Sequence, residues 1–261
     1  MKEANTDLID QVVAISDPSD RNRKNHLVGD RIVVAVGNTF AWLFPVLMVA
    51  IVSQIFLRKA GMNQAWLDDA QWWIYGSALL TGFGYAITTD SHVRVDILHE
   101  HYSVKKKAKI EIFGLGWLLL PFLLIMIDIL THYAYASFVA REGSDSANGL
   151  HRLYLLKMLM PVLFGVAILA ALTALKRNVM ALTTPKCWNM ILAGFPAAWF
   201  AGERLVHYLM WWSVRLTNSE IQPRRISREP MFDYTMWVGL GLVILIFAIS
   251  LIMARRNTAK A

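Results

Sequence analysis

Long runs of apolar residues, separated by short polar or basic stretches, dominate this chain. The first runs from about Ile32 to Leu57, broken only by Asn38, Thr39, Ser53 and Gln54. A second covers about Ala70 to Thr88, a third Ile110 to Ala136, a fourth Leu153 to Leu175 and a last one Phe232 to Ala254. Each is continuous rather than alternating, which predicts helices and not strands. Each is long enough to cross a hydrocarbon core of about 30 Å, which takes about 20 apolar residues. Only helices or closed barrels satisfy their backbone there. The pattern therefore predicts five membrane-crossing helices. Pro45, Pro121 and Pro161 lie inside runs, and Pro45 predicts a kink.

The segments between the runs are less uniform. Met1 to Asp30 is polar and has no apolar core of a signal peptide, so a cleaved leader is not expected. Gly61 to Gln71 reads as a connector or a brief interfacial helix, with Trp66, Trp72 and Trp73 at headgroup depth. Gly76, Ser77, Gly82 and Gly84 give the second run a small-residue face on which another helix can approach closely. From Cys187 to Leu216 two short apolar pieces flank Glu203-Arg204. That interruption predicts an interfacial or re-entrant helical hairpin rather than a span.

Composition sharpens this picture. The chain of 261 residues is 56% hydrophobic and only 17% charged, and its mean hydropathy is +0.41. A soluble domain has about 45–50% apolar and about 25% charged residues. The net charge of +7 sits in the loops, as expected of a cytoplasmic membrane surface rather than of nucleic-acid binding. Lysine and arginine are densest in the lead-in, in the Arg94–Lys109 loop and in the Lys176–Lys186 loop, which places the N-terminus in the cytoplasm through four spans. If Cys187 to Leu216 crosses, the C-terminus returns to the cytoplasm; if not, it lies outside. The one cysteine, Cys187, allows neither an internal disulfide nor a cysteine-based metal cage.

Candidate chemistry is sparse. Asp90, His92, Arg94, Asp96, His99, Glu100 and His101 form the densest polar cluster. His99-Glu100-His101 superficially resembles one histidine box of a membrane di-iron oxygenase, yet the remaining histidines His26, His132, His151 and His207 form no second cluster. A haem held by His132 and His207 would draw on two distant segments. In a helix His92, Asp96 and His99 share one face, so a charged helix end that docks a partner is the favoured reading. Asp128 lies within a span with His132 one turn on, and Lys157 on the next span is a second candidate partner. This pair reads as a packing contact or as an ion or proton relay. No Walker-type loop and no serine or cysteine nucleophile motif occurs. The many Trp and Met residues read as lipid anchors and packing.

The order of features then resembles a known family. A first span ends in Arg58-Lys59, followed by a connector with Trp66, Asp68 and Asp69, a small-residue second span, and His92-Val93-Arg94-Val95-Asp96-Ile97-Leu98. The Gly-rich loop before Tyr154-Leu155-Leu156-Lys157 and Pro161 in the fourth span fit as well. Over about Arg31 to Leu175 the chain resembles the small membrane subunit (DctQ type) of tripartite ATP-independent periplasmic, or TRAP, transporters. The apolar runs predict an all-α, multi-pass transmembrane helical bundle. The resemblance implies a four-span small-permease core over 31–176, preceded by the polar segment over 1–30, and the runs alone add an extension over 177–261 with the ambiguous interfacial or re-entrant segment and at least one extra span. The resemblance also implies a bacterial inner-membrane subunit, without catalysis or cofactor, that scaffolds a large DctM-type permease subunit. That partner would carry the sodium and substrate sites and move like an elevator. A periplasmic substrate-binding protein would deliver an organic acid such as a dicarboxylate, keto acid or sialic acid. His92, Arg94 and Asp96, with the Gly76, Gly82 and Gly84 face, are then the expected interface. The extension departs from the family pattern. The competing expectations are a membrane metal or haem oxidoreductase using His99, His101 or His132, and a stand-alone proton-coupled carrier built on Asp128.

Overall fold

The computed structural model describes residues 23–91, 101–217 and 221–258. Among them every regular element is helical. Helices α1 (Val28–Ala41) and α2 (Leu43–Lys59) form one long rod. Helix α3 is Ala65–Thr89. Helix α4 (Val104–Phe113) passes through a π-helical segment, Gly114–Leu119, into α5 (Leu120–Ala140). Helix α6 is Tyr154–Met180. The extension holds α7 (Cys187–Ala193), α8 (Phe195–Thr217), the short α9 (Pro223–Ile226), a 3-10 turn Pro230–Tyr234 and α10 (Thr235–Thr258).

Four of these rods are long and apolar enough to cross a membrane: Val28–Lys59, Val104–Ala140, Tyr154–Met180 and Pro230–Arg256. They contain four of the five runs seen in the sequence. The fifth run lies in α3, which is helical over 25 residues but less apolar. The reason is on its surface. Ser77, Ala78, Thr81, Gly84, Thr88 and Thr89 are buried within the chain, where small and hydroxyl side chains pack well. The separate interfacial helix expected over 61–71 is absent, because α3 already begins at Ala65. Asp68 in its first turn favours helix there, since acidic groups complement the N-terminal end of the helix dipole.

The prolines act locally. Pro45 has its steric conflict with the carbonyl four residues back, at Ala41. The rod breaks there, at Trp42, whose N–H turns to the Thr39 carbonyl at 3.4 Å. Pro121 follows the π-helical segment with one residue between them, and the wider turn accommodates its ring. Pro161 leaves α6 continuous.

The chain divides into two compact units. The first comprises residues 1–101 and 125–174. In it α1 and α2 pack on α3. Gly84 of α3 approaches the Ala167 backbone of α6 at 3.5 Å from where a Cβ would stand. Leu163, Ala167, Ala170 and Ala171 carry the buried face of α6. Hydroxyls inside these helices bond to their own helix: Thr81 donates to the Ser77 carbonyl at 2.8 Å and Thr173 to Leu169 at 2.9 Å. Such bonding satisfies these hydroxyl donors within their own helices.

The second unit comprises residues 102–124 and 175–261. Its main contact is α8 on α10. Trp188 meets the ring of Phe247, the Trp199 indole N–H donates to the Met236 carbonyl at 3.2 Å, and His207 meets the ring of Phe232. Position numbers rise on one side as they fall on the other, so α7 and α8 run on in one direction, antiparallel to α10. The chain does not double back within 187–216, contrary to the expected hairpin. Gly194 only bends it. A Cβ on Gly239 would stand 2.6 Å from the Glu203 Cα, and one on Gly202 would stand 2.9 Å from Val243. The two helices touch backbone to backbone at these glycines.

Glycine substitutions separate close contacts from open faces. A Cβ on Gly116 would overlap the Ala193 carbonyl, whereas one on Gly82 meets nothing within 4 Å. Gly116→Ala should lower stability by about 1–3 kcal/mol through overpacking. Gly82→Ala should raise it by about 0.5–1 kcal/mol through helix propensity. Thermal unfolding of the two variants in one detergent checks the contrast.

Candidate functional site

The family-like motif residues His92, Arg94 and Asp96, together with His99 and Glu100, lie outside the described residues. The helix that leads into them is well defined. Asp90 caps α3 in the left-handed conformation, φ 54°, and the Ser91 N–H bonds back to the Ala86 carbonyl at 3.1 Å. Thr89 donates to the Tyr85 carbonyl at 2.9 Å, and its hydroxyl also lies 2.9 Å from that of Ser91. This end of α3 is therefore fixed just before the motif begins.

The glycine face of α3 is divided. Gly84 is buried, while Gly76 and Gly82 have open space around them. Beside these two, Trp72, Tyr75, Leu79 and Phe83 are exposed, at the spacing of one helical face. The chain thus presents an aromatic and aliphatic strip interrupted by small residues.

Asp128 is half-buried on α5, and His132 is exposed one turn further on. Lys157 is not their partner. Its Nζ lies 2.7 Å from Glu142 Oε2 and 4.5 Å from the centre of the Tyr133 ring. The physical reason is reach. Lys157 starts α6 only a short loop after Glu142, whereas Asp128 lies about three turns down α5 from its end. The hydrogen bond from Lys157, aided by Ser137 and the lysine charge, holds the Glu142 carboxyl below its ordinary range against the opposing effect of burial.

The sequence reading missed a second loop contact. Asp69 Oδ2 accepts the Leu150 N–H at 2.9 Å, across 81 residues of sequence. A side chain on Gly149 would overlap Ser144 and meet Asp69 at 2.6 Å, so the loop can dock only with glycine there. Asp68 forms a two-pronged ion pair with Arg58 at 2.8 and 2.9 Å. Both acidic residues of the α3 start thus have structural partners. A pair of aspartates opposite a Gly-rich loop is a usable sequence signal, but only once the two helices are known to be neighbours.

Among the described residues no three histidine, cysteine or acidic side chains converge as a metal site would require. His101 and His132 are exposed. Cys187 is exposed at the start of α7.

In the extension, the Arg204 guanidinium holds the Glu203 carboxylate next to it in sequence, with one contact at 2.7 Å. Thr235 of α10 donates to the same carboxylate at 3.1 Å. The charged pair that reads as an interruption in the sequence is internally neutralised and faces α10. Leu205, Leu209, Trp212 and Leu216 instead form an exposed apolar strip on α8.

Two loop variants test these contacts. Asp69→Ala leaves the Leu150 N–H without its acceptor and should cost about 1–3 kcal/mol. Glu142→Gln should lower the unfolding temperature at neutral pH. A depressed carboxyl contributes stability above its unfolded-state pKa and loses it as pH falls through the folded value. The gap between Glu142→Gln and the parent should therefore close as the pH drops below the carboxylate range, read by thermal scans over pH.

No curated protein and no solved structure matches the chain. A protein-family model does: that of the tripartite ATP-independent periplasmic transporters, DctQ component, over residues 47–181. The matched segment runs from within α2 to the end of α6, and so includes the Gly76–Gly84 face, the 92–96 motif and the Glu142–Lys157 contact. Together with the apolar helices, this match shows that the chain is a membrane protein that belongs to the DctQ family, the small permease component of TRAP transporters.

Proposed function

We propose that this chain is the small, non-catalytic subunit that scaffolds a large DctM-type permease in a bacterial inner membrane. The large subunit would take up an organic acid with sodium, after delivery by a periplasmic substrate-binding protein. Family membership supports the reading. The single structural observation that carries it is the strip Trp72, Tyr75, Leu79 and Phe83, with Gly76 and Gly82 open between them. A helix that faces only lipid gains nothing from open small residues; a helix that receives a neighbour does. The motif residues His92, Arg94 and Asp96 follow this strip in sequence and would extend the contact at the cytoplasmic end. In this reading Asp128 and His132 fix helix packing rather than relay protons.

Each unit also carries a rod whose apolar surface is mostly left open. In their most apolar windows only 6% of Val28–Lys59 and 11% of Pro230–Arg256 is buried within the chain. Lipid or a partner must cover the rest.

The same reading places the N-terminus in the cytoplasm, on the positive-inside bias. It also places α7 and α8 across the bilayer beside α10. Their antiparallel pairing runs from Phe232 to Phe247, fifteen residues and about 22 Å at 1.5 Å per residue, most of a core of about 30 Å. The polar side chains Glu203 and His207 meet α10 while the apolar strip of α8 points outward. This arrangement supports a helix set in lipid. The C-terminal Arg255 and Arg256 would then share the cytoplasm with Lys176, Arg177 and Lys186.

Two measurements check the proposal. In proteoliposomes with a sodium gradient, the chain with its large subunit and binding protein should accumulate the organic acid, and the chain alone should not. Asp128→Asn should leave the sodium coupling of that complex intact. For topology, Cys187 should react with a membrane-impermeant maleimide in inverted vesicles and not in intact cells, and Ala261→Cys in a Cys187→Ser background should behave alike. Labelling of Cys187 from outside would overturn the orientation.

A further inference from the structure

The end of the first unit that carries the 141–153 loop has committed most of its carboxylates and left two arginines uncommitted. Asp68 holds Arg58, Asp69 holds the Leu150 N–H, and Glu142 holds Lys157. Asp145, the remaining carboxylate of the loop, is exposed and does not line the cleft described next. Arg141, His151 and Arg152 line an open cleft of about 780 Å³, together with Phe138, Val139 and Tyr154. Among the described residues these three basic side chains have no hydrogen-bond or ion-pair partner.

The cleft is built from anchored backbone. Arg141 takes the left-handed cap position of α5, φ 48°, where glycine is usual. Its N–H bonds to the Phe138 carbonyl and the Glu142 N–H to the Ser137 carbonyl, both at 3.1 Å. Arg152 sits in the turn that opens α6, where the Leu155 N–H bonds to its carbonyl at 3.1 Å and the Tyr154 N–H ties back to Glu142 at 3.3 Å. Phe138 and Tyr154 pack edge to face at 5.7 Å between the helices. The first turn of α6 adds the positive end of a helix dipole.

We propose that this cleft holds the phosphodiester headgroup of a membrane phospholipid, with Arg141 and Arg152 on the phosphate oxygens and the acyl chains along the adjoining helix sides. Guanidinium groups match the planar, two-oxygen face of a phosphodiester better than any other side chain. A soluble phosphate would supply the same anion. The walls favour the lipid: Phe138 and Val139 are exposed at the end of one crossing helix, and Leu155 and Met158 at the start of the next. The cleft therefore opens from charge into apolar helix surface within two turns, at the depth where headgroups meet acyl chains. His151 adds a further donor at the cleft. The other charged groups near the cleft are Glu142 and Lys157, paired with each other, and Asp145.

The test uses the full chain, purified in detergent and stripped of lipid. Phosphatidylglycerol is titrated in and its retention read by native mass spectrometry, with thermal stability as a second readout. The probes for comparison are diacylglycerol with the same chains and inorganic phosphate. Arg141→Asn with Arg152→Gln removes both charges; asparagine tolerates the left-handed cap. Lys105→Gln with Lys107→Gln removes the same net charge from the first turn of α4. Circular dichroism confirms that each variant is folded.

The proposal expects retention of phosphatidylglycerol but not diacylglycerol, unchanged by the lysine variant. In the arginine variant retention should weaken on the order of tenfold or more. Equal retention by parent and arginine variant would overturn it. So would full stabilisation by inorganic phosphate with nothing added by the lipid, which would assign a free anion. An arginine variant that keeps its lipid but no longer captures the periplasmic binding protein would overturn it in favour of an acidic protein surface.

Discussion

Every polar group that enters hydrocarbon must find its partner inside the protein, and that constraint shapes each helix of this chain. The backbone meets it because every regular element among the described residues is helical. Thr81, Thr89 and Thr173 meet it by donating to carbonyls of their own helices. Glu203 meets it with the arginine next in sequence and with Thr235 on the facing helix. Once these groups are satisfied, helices have no polar reason to attract one another and little hydrophobic one, since lipid is as apolar as leucine. What holds them together is close packing at small residues. Gly84 on Ala167 does this in the first unit, and Gly202 on Gly239 in the second.

The polar ends of the helices obey a different rule. Water is available there, so surface ion pairs contribute little energy. They can still fix a loop in one place. Asp69 reaching Leu150 and Glu142 reaching Lys157 clamp the 141–153 loop from both sides. The glycine at 149 lets the clamp close. With those carboxylates committed, the arginines of the same loop are left to face outward.

The crossing helices were legible because about 20 apolar residues in a row suit a lipid core and little else. The start of α3 was not, since Asp68 and Asp69 look like loop residues in a linear reading. In space one pairs with Arg58 and the other caps a loop. Glu203-Arg204 misled in the same way: a charged pair breaks a hydropathy run but not a helix, provided that it neutralises itself. The sequence offers Lys157 as a second candidate partner for Asp128, but the shorter path leads it to Glu142. The small-residue face showed that α3 could be approached, but only the fold separates Gly84, already used within the chain, from Gly76 and Gly82, still open.

Whether α3 lends its open strip to a larger subunit is tested most directly by a photo-crosslinking residue placed at Leu79 in assembled membranes. The expected result is a covalent adduct with the large permease subunit. Adducts with lipid alone, in membranes whose uptake is intact, would contradict it.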